Sequence, residues 1–252
     1  MKQEQSGYYF GLNFAVVVPM ANEEKDFHLF VTEMKKTFAY LGSGTCYFVV
    51  DTVSHDKTLQ LCKNLSKKDK RFIAIWAPQN RNVVDAYLAG YNAAYKNKHD
   101  IIIEMDAGLS HDPRAIPMFL RVLNEGNECA FGSRFINGGS IQESDVRRTI
   151  LSKGGTILSN VLLGTRMYDM TSGYQGFHSK VVGQFLKHEF LSKAHFYQTE
   201  LRYLLRQKRY AEIPIHYRAP SPSVASKSIK NSFAVLWYYF LRRIMGRSDI
   251  IR

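Results

Sequence analysis

The stretch Ile101–Pro113, IIIEMDAGLSHDP, sets an apolar run that can form a buried strand directly against Asp106, Gly108, Ser110, His111 and Asp112. In an open α/β sheet, ligands gather outside the carboxyl ends of the strands, so a carboxylate at that tip is placed for chemistry. A single Asp can equally open a turn or cap the helix after Pro113. The neighbouring apolar runs favour the first reading, because each also ends in polar or charged residues. Asn22 and Glu23 follow the first run, Asp51 the second, Asn80 and Arg81 the third, and Arg134 the fifth. Carboxylates beside arginines at one sheet edge suit a nucleotide diphosphate held with a divalent cation.

Those tips need a scaffold, and the sequence supplies alternating strands and helices. FAVVVP at 14–19, CYFVVD at 46–51, FIAIWAP at 72–78 and the opening run read as strands buried on both faces. Between them, Phe27, Phe30, Val31, Met34, Phe38 and Leu41 recur at helical spacing before Gly42. Further helices are expected over 56–65, 83–96 and 114–123. Four strand-then-helix units predict a mostly parallel sheet flanked by helices, an α/β Rossmann-like architecture. Beyond it, 129–133 reads as a fifth strand, 148–163 and 197–206 as helices, 170–177 as turn-rich and 211–217 as a short strand.

The chain of 252 residues carries a formal net charge of +12, unevenly spread. Residues 1–146 hold 16 Lys and Arg against 17 Asp and Glu, whereas 147–252 hold 18 against 5. A basic C-terminal half points to an anionic partner, such as phosphates or an anionic membrane surface. Nucleic acid is not expected, since no binding module is recognisable and the strand-tip carboxylates oppose it. Arg202, Arg206, Lys208 and Arg209 sit in or just after the 197–206 helix and could contact phosphates, though a solvated helical face is the commoner reading of such a run. Cys46, Cys62 and Cys129 have no metal spacing and suit small buried hydrophobes in a reducing compartment. With no signal-peptide core or spanning run, the expected location is cytoplasmic, peripheral on the cytoplasmic face of a membrane. The peripheral element would be 229–252, whose nine apolar or aromatic residues from Phe233 to Leu241 precede Arg242 and Arg243. Such a C-terminal amphipathic helix can lie in a lipid interface with its arginines on phosphates, or dock on the core.

The segments VVVPMANEE, VVDTVSHDKT, EMDAGLSHDP, FGSRFINGGS, RRTILSKGG, DMTSGYQGF and IPIHYRAPSPSVASKS occur in order across residues 12–228. In order and spacing the chain resembles the family 2 inverting glycosyltransferases, and within them the polyprenyl-phosphate sugar synthases of the dolichyl-phosphate mannosyltransferase type. The resemblance implies a type A glycosyltransferase fold, with residues 1–228 as catalytic domain, and transfer from a nucleotide-diphosphate sugar to a lipid phosphate. It places Pro19, Ala21, Asn22, Glu23, Asp51 and Arg81 around the donor. Asp106 matches the first carboxylate of the family's Asp-x-Asp metal motif, and Ser110 a further oxygen ligand for Mg²⁺ or Mn²⁺. Arg134, Arg148 and Ser152 match positions that hold the acceptor phosphate, and Lys227 matches a lysine on a closing loop.

Two departures qualify this picture. Gly108 stands where the family has its second metal carboxylate, so the ion is expected to be held weakly without the donor. His111 stands close enough in sequence to compensate as a ligand, though a lone His is more often structural. Thr52 replaces a second Asp near the base or ribose, so the nucleotide is not specified. With a lipid phosphate as acceptor, no strong base is needed, and Arg134 and Arg148 would orient an anion that is already charged. With a saccharide hydroxyl as acceptor, a carboxylate must take the proton, and Asp169 is the candidate, unless it only fixes the turn before Gly173.

Overall fold

The structure is a computed structural model that describes residues 11–142, 146–218, 226–247 and 249–251, with the side chains of 146–148 and 226–228 excepted. Its centre is the strand β1 (Phe14–Met20), whose alternate side chains enter two different cores. Phe14, Val16 and Val18 pack with Phe30, Met34 and Phe38 of α1 (Phe27–Leu41), on the face that the sequence periodicity marks out. Ala15 and Val17 face α3 (Val83–Lys96), through Tyr87 and Tyr91. That contact is close: a Cβ on Gly90 would lie 2.2 Å from Val17 Cγ1, so only glycine fits there.

β2 (Thr45–Val50), α2 (Thr58–Lys68), β3 (Phe72–Trp76) and β4 (Ile101–Glu104) complete the first half, with β1 parallel to both β2 and β4. A turn of 3₁₀ helix, Pro113–Ala115, leads into α4 (Ile116–Asn124), followed by β5 (Cys129–Ser133). The second half adds β6 (Ser140–Ile141), α5 (Val146–Leu163), β7 (Gln175–His178), α6 (Ser179–Phe185) and α7 (Phe196–Leu204). It ends with β8 (Tyr210–Pro214), β9 (His216–Tyr217) and α8 (Ser226–Ile244). The main sheet runs β3-β2-β1-β4-β7-β5-β8, and β6 pairs with β9 beside it.

The expected parallel sheet is therefore interrupted once. β7 lies antiparallel between β4 and β5, inside the segment that reads as turn-rich, because QGFH is too short to show a period. Its Gly176 passes 3.2 Å, measured to an added Cβ, from Ile103 Cγ1. α8 begins at Ser226 rather than Ile229 and docks on the core through Val235, Leu236 and Tyr239. Its other face leaves Phe233, Trp237, Leu241 and Ile244 exposed. The two arginines at its end are engaged within the protein: Arg242 pairs with Asp249 at 2.6 Å, and Arg243 donates to the Val161 and Leu162 carbonyls. Among the described residues, no helix is long and apolar enough to cross a membrane.

Candidate active site

The tips of β1, β2 and β4 converge on one cavity of about 480 Å³. Pro19, Ala21 and Glu23 line it from the first tip, Asp51 from the second, and Asp106, Gly108 and Ser110 from the fourth. A second cavity of about 300 Å³ is lined by Arg134, Ser152, Thr171 and Gln198. Both are bounded by Asp106 and His195, so they meet at these two residues.

Asp106 is held by what surrounds it. Tyr87 donates its hydroxyl to Oδ1 at 2.6 Å, and the Asp106 amide donates to His111 Nδ1 at 2.9 Å. Burial, above all, lowers the His111 pKa below its ordinary value and keeps the ring neutral. With Nδ1 accepting, the proton sits on Nε2, which has no partner among the described residues. His111 thus braces the Asp106 backbone, and its Nδ1 is not free to bind a metal. The helix-capping role belongs to Asp112, whose side chain accepts from the Arg114 amide. Asp106 is consequently free of that duty.

Gly108 and Leu109, just past the Asp106 tip, take left-handed backbone angles, with φ of 67° and 62°. A Cβ on Gly108 would lie 3.0 Å from Glu23 Oε2. Glu23 is itself raised to about 7, by burial first and then by the carboxylates of Asp26, Asp106 and Asp56. This gathering of carboxylates around Glu23 is a setting in which a divalent ion fits. The donor set is of hard oxygens, as Mg²⁺ or Mn²⁺ prefers. Among the described residues no three His, Cys, Asp or Glu side chains cluster as a complete metal cage. Substrate phosphates and water would have to complete the coordination.

Two residues expected around the donor lie elsewhere. Arg81 turns back onto Asp85 at 2.9 Å and lines a separate groove, because the two stand one helical turn apart at the start of α3. Asn22, in a left-handed conformation (φ 59°), does not line the cavity but ties the β1 and β2 tips together. Its side chain donates to the Val53 carbonyl and accepts from the His55 amide.

Asp169 is not available as a base. It is fully buried, and the Arg134 Nε and Nη2 groups donate to its two oxygens at 2.7 and 2.9 Å. Burial works against its charged form, but hydrogen bonds from Arg134 and the charges of Arg134 and Arg202 outweigh this and hold its pKa below the ordinary range. Its role is to aim Arg134 at the second cavity. Arg202, expected on a solvated face, is completely buried and donates to the Asp169, Gly132 and Ser172 carbonyls. It fastens the 169–173 loop from behind. Arg148 stands on α5 and Lys227 on α8, but their side chains lie outside the described residues.

His195 and Tyr87 were not marked out by the sequence. Tyr87 carries only the signal of a buried helical face, and His195 stands in an unpatterned segment, KAHFYQTE.

A mostly parallel sheet flanked by helices, with an acidic pocket at its strand tips joined to an arginine-floored pocket, is the architecture of a glycosyltransferase of type A fold. The chain belongs to glycosyl transferase family 2, whose profile matches residues 15–186, and it is a glycosyltransferase. It is 27% identical over 240 residues to the polyprenol monophosphomannose synthase of Mycolicibacterium smegmatis, covering 94% of this chain and 89% of that protein. With the undecaprenyl-phosphate mannosyltransferase of Micrococcus luteus it shares 25% identity over 171 residues, 67% of this chain and 70% of the relative. Its fold is similar to that of glucosyl-3-phosphoglycerate synthase from Mycobacterium tuberculosis, crystallised with Mn²⁺, uridine diphosphate and phosphoglyceric acid. That match has a TM-score of 0.70 at 14% identity, covering 95% of this chain and 82% of the other.

Proposed function

We propose that the protein transfers a sugar from a nucleotide-diphosphate sugar to a polyprenyl phosphate, with inversion at the anomeric carbon, while seated on a membrane surface. One observation carries this reading: the arginine-floored second cavity opens onto an apolar surface. Leu151 lines the cavity and is 73% exposed, and Ser232 lines it beside exposed Phe233. Ile150, Ile157 and Val161 are exposed on α5, and Trp237 and Leu241 on α8, two helices that pack together. A phosphate with a long apolar tail matches a charged floor and a greasy exit, whereas a soluble saccharide does not. The names of the two mannosyltransferase relatives support the same acceptor class.

The donor would occupy the first cavity, its diphosphate facing Asp106. A divalent cation held by Asp106, with Ser110 beside it, would neutralise charge growing on the departing diphosphate. The acceptor phosphate oxygen attacks the anomeric carbon as the bond to the diphosphate breaks, and the nucleoside diphosphate leaves. Arg134, steadied by Asp169 and Thr171, holds the incoming anion. Ser152 adds a hydroxyl at the same cavity. No proton need be removed from an acceptor that is already anionic, which agrees with the absence of a free carboxylate base at Asp169.

Membrane extracts and purified protein assayed with several nucleotide sugars test the idea. Product on prenyl phosphate is expected. Product only on a soluble saccharide or phosphoglycerate would overturn the lipid acceptor.

A further inference from the structure

Among the described residues, only Asp106 and His195 line both cavities. With the donor's diphosphate in the first cavity and the acceptor's phosphate in the second, the sugar in transit has to lie where the two meet. Asp106 reaches that point from the β4 tip, with one oxygen already accepting from Tyr87. His195 reaches it from the start of α7, and the residues that follow, Phe196, Gln198 and Thr199, line the second cavity alone. The backbone leading to His195 is anchored from two sides. The buried carboxylate of Glu200 accepts from the Leu191 and Ser192 amides at 2.9 and 2.8 Å and from the Tyr239 hydroxyl of α8 at 2.8 Å. The Lys193 amide donates to Asn231 Oδ1, also on α8, at 3.0 Å. The His195 side chain itself is exposed and makes no capping bond to α7, so its ring nitrogens are left for a ligand.

We propose that His195 reads the transferred sugar, making a hydrogen bond with one of its hydroxyl groups at the junction of the cavities. This rests on the reading of the two cavities as donor and acceptor sites. An imidazole offers an N–H donor and, when neutral, a nitrogen acceptor as well, which suits an uncharged hydroxyl. Arg134 on one side and Asp106 on the other instead suit a phosphate and a cation. A sugar that lacks the hydroxyl, or carries it on the other face, leaves the ring unpaired against its substrate and is turned over more slowly. His195 is therefore a specificity-determining residue, and the ties to Glu200 and Asn231 fix where its backbone presents it.

Transfer to prenyl phosphate is measured first with uridine and guanosine diphosphate hexoses and N-acetylhexosamines, then with monodeoxy analogues of the donor that is used. For one analogue, kcat/KM is expected to fall about five- to tenfold in the native protein, the scale of one net hydrogen bond, and to be the same as for the complete sugar in His195→Ala. His195→Ala should lose that same factor on the complete sugar, and His195→Asn, which keeps a donor and an acceptor, should recover part of it. Calorimetric binding of uridine and guanosine diphosphate and the thermal melt should not change, because the ring is exposed. Equal losses on every analogue in the native and His195→Ala proteins would overturn the proposal. So would weakened nucleoside diphosphate binding, which makes His195 a ligand of the leaving group, or an effect confined to the KM for prenyl phosphate, which makes it a ligand of the acceptor; both leave the cavities as read. If the native protein transfers from none of these donors, or Asp106→Asn transfers normally, the reading of the cavities fails, and the proposal with it.

Discussion

Asp106 and Asp169 are both aspartates at the mouth of a sheet, and their surroundings give them opposite duties. Asp106 keeps one oxygen on Tyr87 and presents the other to a cavity, whereas both oxygens of Asp169 are engaged by Arg134. Asp106→Asn is expected to lower transfer about a hundredfold or more, the scale of losing one electrostatic contact to a developing charge. The fold should survive, because the asparagine oxygen can still accept from Tyr87; a thermal melt alongside the activity assay checks both. Arg134→Ala acts differently, since it strands a fully buried carboxylate. Its expected cost is about 3–5 kcal/mol of stability, and adding Asp169→Asn should recover part of that, as measured by denaturant unfolding of the single and double variants. None of this asymmetry is written in the local sequence. GSRF and DMTSG are far apart in the chain, and the β5 and β7 pairing, with Glu212 of β8 accepting from the Asp169 amide, brings Arg134 to Asp169. Sequence could nominate Asp106 by its place after IIIE, but could not tell which aspartate was spoken for.

At the level of elements, β4 is the short strand on which the site depends, and its last residue, Glu104, is buried among Tyr91, Tyr197 and Gln175. Burial lifts Glu104 from an ordinary 4.5 to about 8. The native state therefore keeps this proton where the unfolded chain has released it, so the contribution to stability declines as pH rises from about 4.5 to about 8. Glu104→Gln removes that titration and keeps an amide able to hydrogen-bond with Tyr91. The variant is expected to gain on the native protein steadily across that window; a parallel pH dependence of both melting temperatures would refute it. The alternation of β1, β2 and β3 with α1, α2 and α3 was readable because long apolar runs and helical periods agree at every step. β7 was not readable, as four residues including Gly176 show no period, and its pairing is set by the neighbours β4 and β5. Arg202 misleads for a related reason: a charged residue on a helical pattern usually faces water, yet here its two terminal nitrogens donate to the carbonyls of Gly132 on β5 and of Asp169 and Ser172 on the loop before β7.

For the whole molecule, the unequal charge of the two halves and the aromatic run near the C-terminus suggest a surface partner, but do not say how α8 is placed. α8 is both docked and exposed, with Tyr239 buried and Trp237 54% exposed two positions away. Deleting it would strip Val235, Leu236 and Tyr239 from the core and confuse membrane release with unfolding. Single substitutions on the outer faces avoid this. Each large apolar side chain inserted into a lipid interface contributes about 1.5–3 kcal/mol when fully buried, and partial insertion correspondingly less. Trp237→Glu or Leu151→Glu is therefore expected to weaken binding to anionic vesicles about tenfold or more, with the thermal melt little changed because both residues already face solvent. The two should then separate in catalysis. Leu151 borders the acceptor cavity and Trp237 does not, so with a short, water-soluble prenyl phosphate Leu151→Glu should remain impaired while Trp237→Glu recovers. Vesicle binding unaffected by both substitutions would show that the apolar faces of α5 and α8 meet something other than lipid, and that the acceptor's tail leaves the second cavity by another path.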